Sequence, residues 1–218
     1  MVLGGDGTLI YATGSGSGIA GMEMVWVSRQ GQATPVDSGW VFQSGTGGGV
    51  AISPDGRRIA VGIGSSGRSD IWIKELGGGQ LSRLTFDGNN TRPAWSASGA
   101  SVYYVSDRQG ANDLRSRRAD GTGGETTVAD LARAIAEVAA TPDTSRFLVR
   151  LAPPPSRDIM LTGRGRDSLT PLVATERFEE AGPALSPDGR WLAYTSNESG
   201  RAEVYVRPFP EVNTGRWQ

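Results

Sequence analysis

The chain has 218 residues, a net charge of −1, 32 glycines, and neither histidine nor cysteine. Lacking those two residue types, it excludes a Ser-His-Asp or Cys-His catalytic arrangement, a histidine-ligated zinc site and any disulfide. The balanced charge, with no long single-sign block, argues against a nucleic-acid partner. No apolar run approaches the ~18 residues of a spanning helix, so this segment is not expected to insert into a membrane.

Glycine is about twice as frequent as the usual ~7%, which points to many short strands joined by turns. The opening Met1-Val2-Leu3-Gly4-Gly5-Asp6-Gly7 lacks the basic and apolar regions of a signal peptide. The first unit, roughly residues 1–40, reads as incomplete. Asp6-Gly7 is a turn remnant with almost nothing before it to form an inner strand. Leu9-Ile10-Tyr11, Val25-Trp26-Val27 and residues 32–36 read as strands around a glycine-serine loop.

The second unit, 41–88, is the clearest. Val50-Ala51-Ile52, residues 58–62, Ile71-Trp72-Ile73 and residues 81–86 alternate or nearly alternate, as strands of a half-buried sheet do. The third, 89–131, repeats the plan with Pro93-Ala94-Trp95 and residues 102–105, 113–116 and 125–128. In the fourth, 132–178, two signals conflict. Leu131, Ile135 and Val138 fall at helical spacing among alanines, whereas the repeat register makes 135–140 an inner strand. The register predicts a strand there and leaves a helical turn near 129–133. Residues 147–151, a Pro153-Pro154-Pro155 loop, Ile159-Met160-Leu161 and residues 169–174 follow. The fifth, 179–218, holds Pro183-Ala184-Leu185, residues 191–195, Val204-Tyr205-Val206, and Gly215-Arg216-Trp217-Gln218 as the start of an outer strand. Both ends fall inside a repeat, so the sequence predicts one domain over 1–218, truncated at both ends.

The units share a turn. Ser53-Pro54-Asp55-Gly56 recurs as Ser186-Pro187-Asp188-Gly189, with degraded versions at Ser96-Ala97-Ser98-Gly99 and Thr141-Pro142-Asp143-Thr144. Proline presets φ, aspartate bonds its own backbone, and glycine accepts φ > 0. Lead residues 53, 96, 141 and 186 are 43, 45 and 45 positions apart, and an alanine stands two before each: Ala51, Ala94, Ala139 and Ala184. Repeats of roughly 40–45 residues made only of short strands are the signature of propeller blades. The predicted fold class is all-β, a β-propeller of about five four-stranded units.

These residues resemble the TolB-like, WD-repeat-like bacterial propellers, whose units carry a Ser-Pro-Asp-Gly turn and a later Asp-Ile-Trp-type strand. The matches here are the two full turns with Asp70-Ile71-Trp72, Asp113-Leu114, Asp158-Ile159 and Glu203-Val204-Tyr205. The closing Arg207-Pro208-Phe209-Pro210 and Gly215-Arg216-Trp217-Gln218, with Val25-Trp26-Val27-Ser28-Arg29-Gln30-Gly31, look closest to the propeller half of bacterial receptor-like serine/threonine kinases. The resemblance implies a six-bladed parent ring, a kinase domain and membrane segment ahead of the propeller, and an extracytoplasmic module that binds a protein or peptide. It also leaves two alternatives: the gating propeller of a prolyl-oligopeptidase-like peptidase, and a TolB-like envelope scaffold.

Candidate site residues follow from the repeat. Asp70, Asp113, Asp158 and Glu203 recur just before the third strand of successive units. Either they form a ring of carboxylates that binds a cation or a basic peptide, or each holds its own blade through backbone bonds and a neighbouring arginine. Arg115, Arg117, Arg118, Arg164 and Arg166 form a basic patch or solvated strand edges. Trp26, Trp72, Trp95, Trp191 and Tyr205 read as blade-to-blade packing or as an aromatic platform for carbohydrate. Gly16-Ser17-Gly18-Ile19-Ala20-Gly21 and Gly62-Ile63-Gly64-Ser65-Ser66-Gly67 match a dinucleotide fingerprint, yet each precedes a strand rather than the helix such a site needs. No catalytic residue, metal ligand or cofactor is predicted.

Overall fold

A computed structural model describes residues 2–3, 9–13, 21–43, 48–65, 67–108, 113–131, 133–152, 158–166, 169–175 and 177–218. Among them no helix occurs. The Asp6-Gly7 turn, residues 16–20 of the first glycine-rich stretch and the 153–155 proline loop lie outside the described residues. The chain divides into two compact units, Met1–Tyr104 with Arg117–Gly124, and Val105–Ser116 with Glu125–Gln218.

Taken in chain order, β1 (Val2–Leu3), β2 (Leu9–Thr13), β3 (Met22–Val27) and β4 (Ala33–Pro35) form the first sheet, and β5 (Val41–Phe42) also pairs with β3. The second is β6 (Val50–Ile52), β7 (Arg58–Ser65), β8 (Arg68–Glu75) and β9 (Leu81–Arg83). β10 (Asn90–Trp95), β11 (Ser101–Ser106), β12 (Asp113–Arg118) and β13 (Thr126–Asp130) make the third. The fourth begins with β14 (Ile135–Ala140), β15 (Arg146–Leu151) and β16 (Ile159–Gly163). After a two-residue β17 (Gly165–Arg166), which pairs in parallel with β13, β18 (Thr170–Val173) completes it beside β16. The fifth is β19 (Glu180–Leu185), β20 (Trp191–Ser196) and β21 (Glu203–Pro208), and Trp217 adds an antiparallel bridge to Val206. These successive up-and-down sheets are the blades of a β-propeller, all-β as the repeat requires.

Two expectations are corrected, and one strand was not foreseen. Val2 and Leu3 do supply the first sheet with an inner strand, pairing with Ile10 and Leu9. The helical turn near 129–133 does not form: Ala129 and Asp130 end β13, and 135–140 is a strand in register with 147–151. Alanine's helix propensity is a weak preference, and here antiparallel pairing with β15, interrupted only by a bulge between Ile135 and Glu137, overrides it. The parallel β17 had no signal in a two-residue stretch.

Burial explains the alternation. In β8, Ser69, Ile71 and Ile73 are buried while Asp70 and Trp72 face the other side. Ala60, Ile71, Ile73, Leu84, Trp95, Val102 and Tyr104 form one core of the first unit. Met24, Phe42, Ile59 and Val61 form another, with Trp26 and Trp72 packed against it. The second unit has its own core, which includes Leu148, Ile159, Leu192, Tyr194 and Tyr205.

The four turns are closed by the same bonds. Ser53 Oγ donates to Asp55 Oδ1 at 2.5 Å and accepts from the Arg58 amide at 2.9 Å, and the Arg57 amide donates to the same carboxylate at 3.1 Å. Ser186 and Asp188 repeat this with the amides of Trp191 and Arg190, and Thr141 and Asp143 with those of Arg146 and Ser145. In the degraded third turn Ser98 stands in for aspartate, and its hydroxyl takes the Ala100 amide at 3.3 Å. The turn position favours glycine for its φ, and at Gly189 for space as well. Gly56, Gly99 and Gly189 sit at φ of 69°, 68° and 68°, and a Cβ on Gly189 would come within 3.0 Å of Pro142 in the preceding blade's turn.

Thr144 occupies that left-handed position at φ 53°, which costs a β-branched residue more than glycine. Thr144→Gly is expected to raise stability by about 0.5–1 kcal/mol, the relief being partly offset by glycine's larger unfolded entropy. An unchanged or lower unfolding midpoint would show that this turn carries no strain. The turn carboxylates also set an acid limit. The Ser145 and Thr141 hydroxyls lower Asp143, and Ser186 and Arg190 lower Asp188, each to about 2. Folded values below the unfolded one mean that this stability is present above about pH 4 and is lost as the pH falls through about 2. Thermal midpoints recorded from pH 5 to pH 2 should therefore fall less for Asp143→Asn/Asp188→Asn than for the native chain.

Candidate functional site

The recurrent acids are structural in three blades out of four. Asp70 lies between the buried Ser69 and Ile71 of β8 and gathers three donors. Arg83 Nη2 lies 2.5 Å from Oδ2, while the Thr85 hydroxyl and the Asn90 amide donate to Oδ1 at 3.0 and 3.3 Å. Thr85 Oγ1 also accepts the Ile71 amide at 2.9 Å, and Asn90 Nδ2 donates to the Asp87 carbonyl at 2.8 Å. Asp70 thus ties the third strand of its blade to the crossing into the next.

In the second unit Asp113 is 3% exposed and pairs with Arg115 at 3.4 Å. Arg115, itself 4% exposed, also holds Glu125, which Arg108 approaches at 3.3 Å. Glu203 pairs with the exposed Arg201 at 2.6 Å and accepts from Gln218. Asp158 differs: its Oδ1 is buried and has no hydrogen-bond partner. Among the described residues no group of three acidic side chains is spaced to hold a metal ion.

The arginines do not stand as a free patch. Arg115 is buried in its ion pairs, Arg117 lies over the Phe86 ring at 5.3 Å, Arg118 pairs with Asp120 at 2.5 Å, and Arg164 lies over Phe147 at 5.8 Å; the side chain of Arg166 is outside the described residues. Trp95 is a packing residue. Its Nε1 donates to the Ala51 carbonyl of the preceding blade at 3.0 Å, and the Arg58 guanidinium covers its ring at 4.7 Å while donating to Gly99 O at 2.9 Å. Trp191 departs from the packing expectation, being 40% exposed, with an edge contact to the Trp217 ring at 5.4 Å. In the second glycine-rich stretch, Gly62 and Gly64 lie inside β7 and Gly67 in the hairpin to β8, so no helix follows to meet a phosphate.

Sequence reading missed the partners of these acids. Thr85 and Asn90 stand eleven and six residues before lead residue Ser96, and Thr175 and Glu180 hold the same places before Ser186. That recurrence was the available signal, and it lay hidden because two of the blades lack it. Asp70→Ala leaves the Thr85 and Asn90 donors without their acceptor, in a setting where Asn90 is 0% exposed; a loss of about 2–3 kcal/mol is expected. Glu203→Ala, which breaks a pair with an exposed arginine, should cost about 0.5 kcal/mol. Urea unfolding of both variants distinguishes the two roles, and equal losses would contradict them.

Comparison with known proteins follows the same lines. Solved structures share the fold at low identity. TolB from Acinetobacter baumannii matches at TM-score 0.73 and 18% identity, over 95% of this chain and 50% of that one. A protein described as TolB from Agrobacterium tumefaciens matches at 0.72 and 19%, over 95% and 75%. Porphyromonas gingivalis dipeptidyl peptidase 4 matches at 0.55 and 17%, over 99% and 39%. The chain thus spans half the length of the Acinetobacter protein. No curated protein sequence matches it. The model of the lipoprotein LpqB β-propeller domain matches residues 23–151, more than half of the chain. With its four-stranded blades and recurrent turns, the chain belongs to the LpqB β-propeller domain family.

Proposed function

We propose that this chain is a non-catalytic binding module whose partner is a protein or peptide, and that it serves as the extracytoplasmic part of a bacterial serine/threonine kinase. The observation that carries the binding role is the LpqB propeller match over residues 23–151, supported by the likeness to TolB. The chemistry agrees. The sequence holds no histidine or cysteine, and Asp70, Asp113 and Glu203 are engaged by neighbours in their own unit rather than poised toward a substrate. With a net charge of −1, a nucleic acid is not the partner that fits. The kinase context rests on the closing Arg207-Pro208-Phe209-Pro210 and Gly215-Arg216-Trp217-Gln218 resemblance. A second reading, a propeller that gates a serine peptidase, draws on the likeness to dipeptidyl peptidase 4.

The coding sequence adjoining this chain separates the readings. The kinase reading expects a kinase domain and then an apolar stretch of about 20 residues on the N-terminal side. A hydrolase domain on the C-terminal side would instead support the gate, and an export signal with no kinase would support an envelope scaffold. For the binding role, cross-linking of the tagged 218-residue chain to envelope proteins should give discrete adducts that heat-unfolded chain does not form. Adducts indistinguishable from those of unfolded chain would reject it.

A further inference from the structure

The fourth and fifth blades share a polar cluster that repeats, with one change, the arrangement around Asp70. Asn90 and Glu180 are each the first residue of an inner strand, and they are 0% and 1% exposed. At the first position the Thr85 hydroxyl and the Asn90 amide both donate to Asp70. At the second, Asp158, directly before β16, takes the place that Asp70 has in β8, but a carboxyl group replaces the amide. The Thr175 hydroxyl donates to Glu180 Oε1 at 2.9 Å. Glu180 Oε2, Asp158 Oδ1 and Glu198 Oε1 are all buried with no hydrogen-bond partner. Ionised carboxylates only accept, so each of these buried oxygens lacks a donor. A single proton converts one of them into a donor.

We propose that Glu180 is a neutral carboxylic acid in the folded chain, supplying the donor that Asn90 supplies to Asp70, and that losing this proton destabilises the last two blades. The proton is thereby a switch on the stability of the second unit. The charged groups acting on Glu180 are Asp158 ahead of β16, Glu198 beyond β20 and Arg207 on β21. Glu198 is held by Arg216 at 2.6 Å. Arg207 donates to the Tyr194 hydroxyl at 2.7 Å and to the Val212 carbonyl at 3.0 Å, so its own donors point elsewhere.

The balance favours the proton. Burial pushes Glu180 up to about 7, the charges of Asp158 and Glu198 add to it, and Thr175 and Arg207 oppose it. The folded value exceeds the ordinary 4.5, so the folded chain holds a proton that the unfolded chain releases. This contribution is complete below about pH 4.5 and is lost as the pH rises through about 7.

Thermal unfolding of the full 218-residue chain between pH 5 and pH 8.5 tests this. The native midpoint should fall by about 3 °C or more across that range. Glu180→Gln, whose amide restores the donor, should lose the Glu180-dependent part of that fall and exceed the native chain at pH 8.5. Asp158→Asn, by removing a neighbouring charge, should move the fall to lower pH. A native curve no steeper than that of Glu180→Gln, or a Glu180→Gln chain less stable than native at pH 8.5, overturns the proposal. Carbon-13 titration of the Glu180 carboxyl in the native chain gives a readout independent of any variant: a midpoint near 7 supports the switch, and one near 4.5 rejects it. Millimolar calcium that raises the native midpoint at pH 8.5, but not that of Glu180→Gln, would reassign the cluster as a cation site and equally overturn it.

Discussion

In the second to fifth blades the inner hairpin depends on one hydroxyl group, that of the residue leading the turn. At Ser53, Ser96, Thr141 and Ser186 it accepts the backbone amide five residues on. The lead residue's own amide meanwhile donates to the carbonyl of that same residue. Together these bonds fix the register between first and second strands. Register matters because a slip of one residue would turn every buried side chain of the blade outward. The buried Ile59, Val102, Phe147 and Leu192, each just past a turn, are placed by that constraint.

The turns also set how closely successive blades approach within each unit. Gly99 lies against Pro54 and the Arg58 guanidinium, and Gly189 lies against Pro142. A Cβ at Gly189 would press on the Pro142 ring, whereas one at Gly99 would meet chiefly the flexible end of Arg58. Around these contacts the polar groups bridge blades: Arg58 to Gly99, Trp95 to Ala51, and Glu137, itself held by Arg150 at 3.0 Å, to the Gly182 amide at 2.7 Å. Lys74 is the one lysine of the sequence. It is likewise internal, 2.6 Å from both Asp37 and the Gly79 carbonyl. These charged groups hold sheets together.

The sequence-level reading of function divides along the same line. Acids recurring ahead of each third strand could serve a ligand or the blade, and sequence spacing does not distinguish the two. The difference lies in Arg83, Thr85 and Asn90, which converge on Asp70 from 13 to 20 residues away. The same spacing concealed a contrast between blades. Asn90 and Glu180 occupy equivalent places, yet one supplies an amide to a carboxylate and the other a second carboxyl group.

The amino-acid sequence alone determined the blade repeat, the turn chemistry, the strand order within each blade and the exclusion of histidine and cysteine chemistry. These are local properties: φ preferences, alternation with period two, and composition. Tertiary structure decided the rest. It made 135–140 a strand despite its helical spacing, because pairing with β15 outweighs the intrinsic preference of alanine. It gave the first sheet an inner strand from only Val2 and Leu3. It also left Trp191 at the surface while burying Tyr205, since burial depends on what the neighbouring elements cover. Finally, it separated the satisfied carboxylate of Asp70 from the unsatisfied one of Asp158. The partners that a buried charge finds come from distant strands, and only the folded chain brings them within reach.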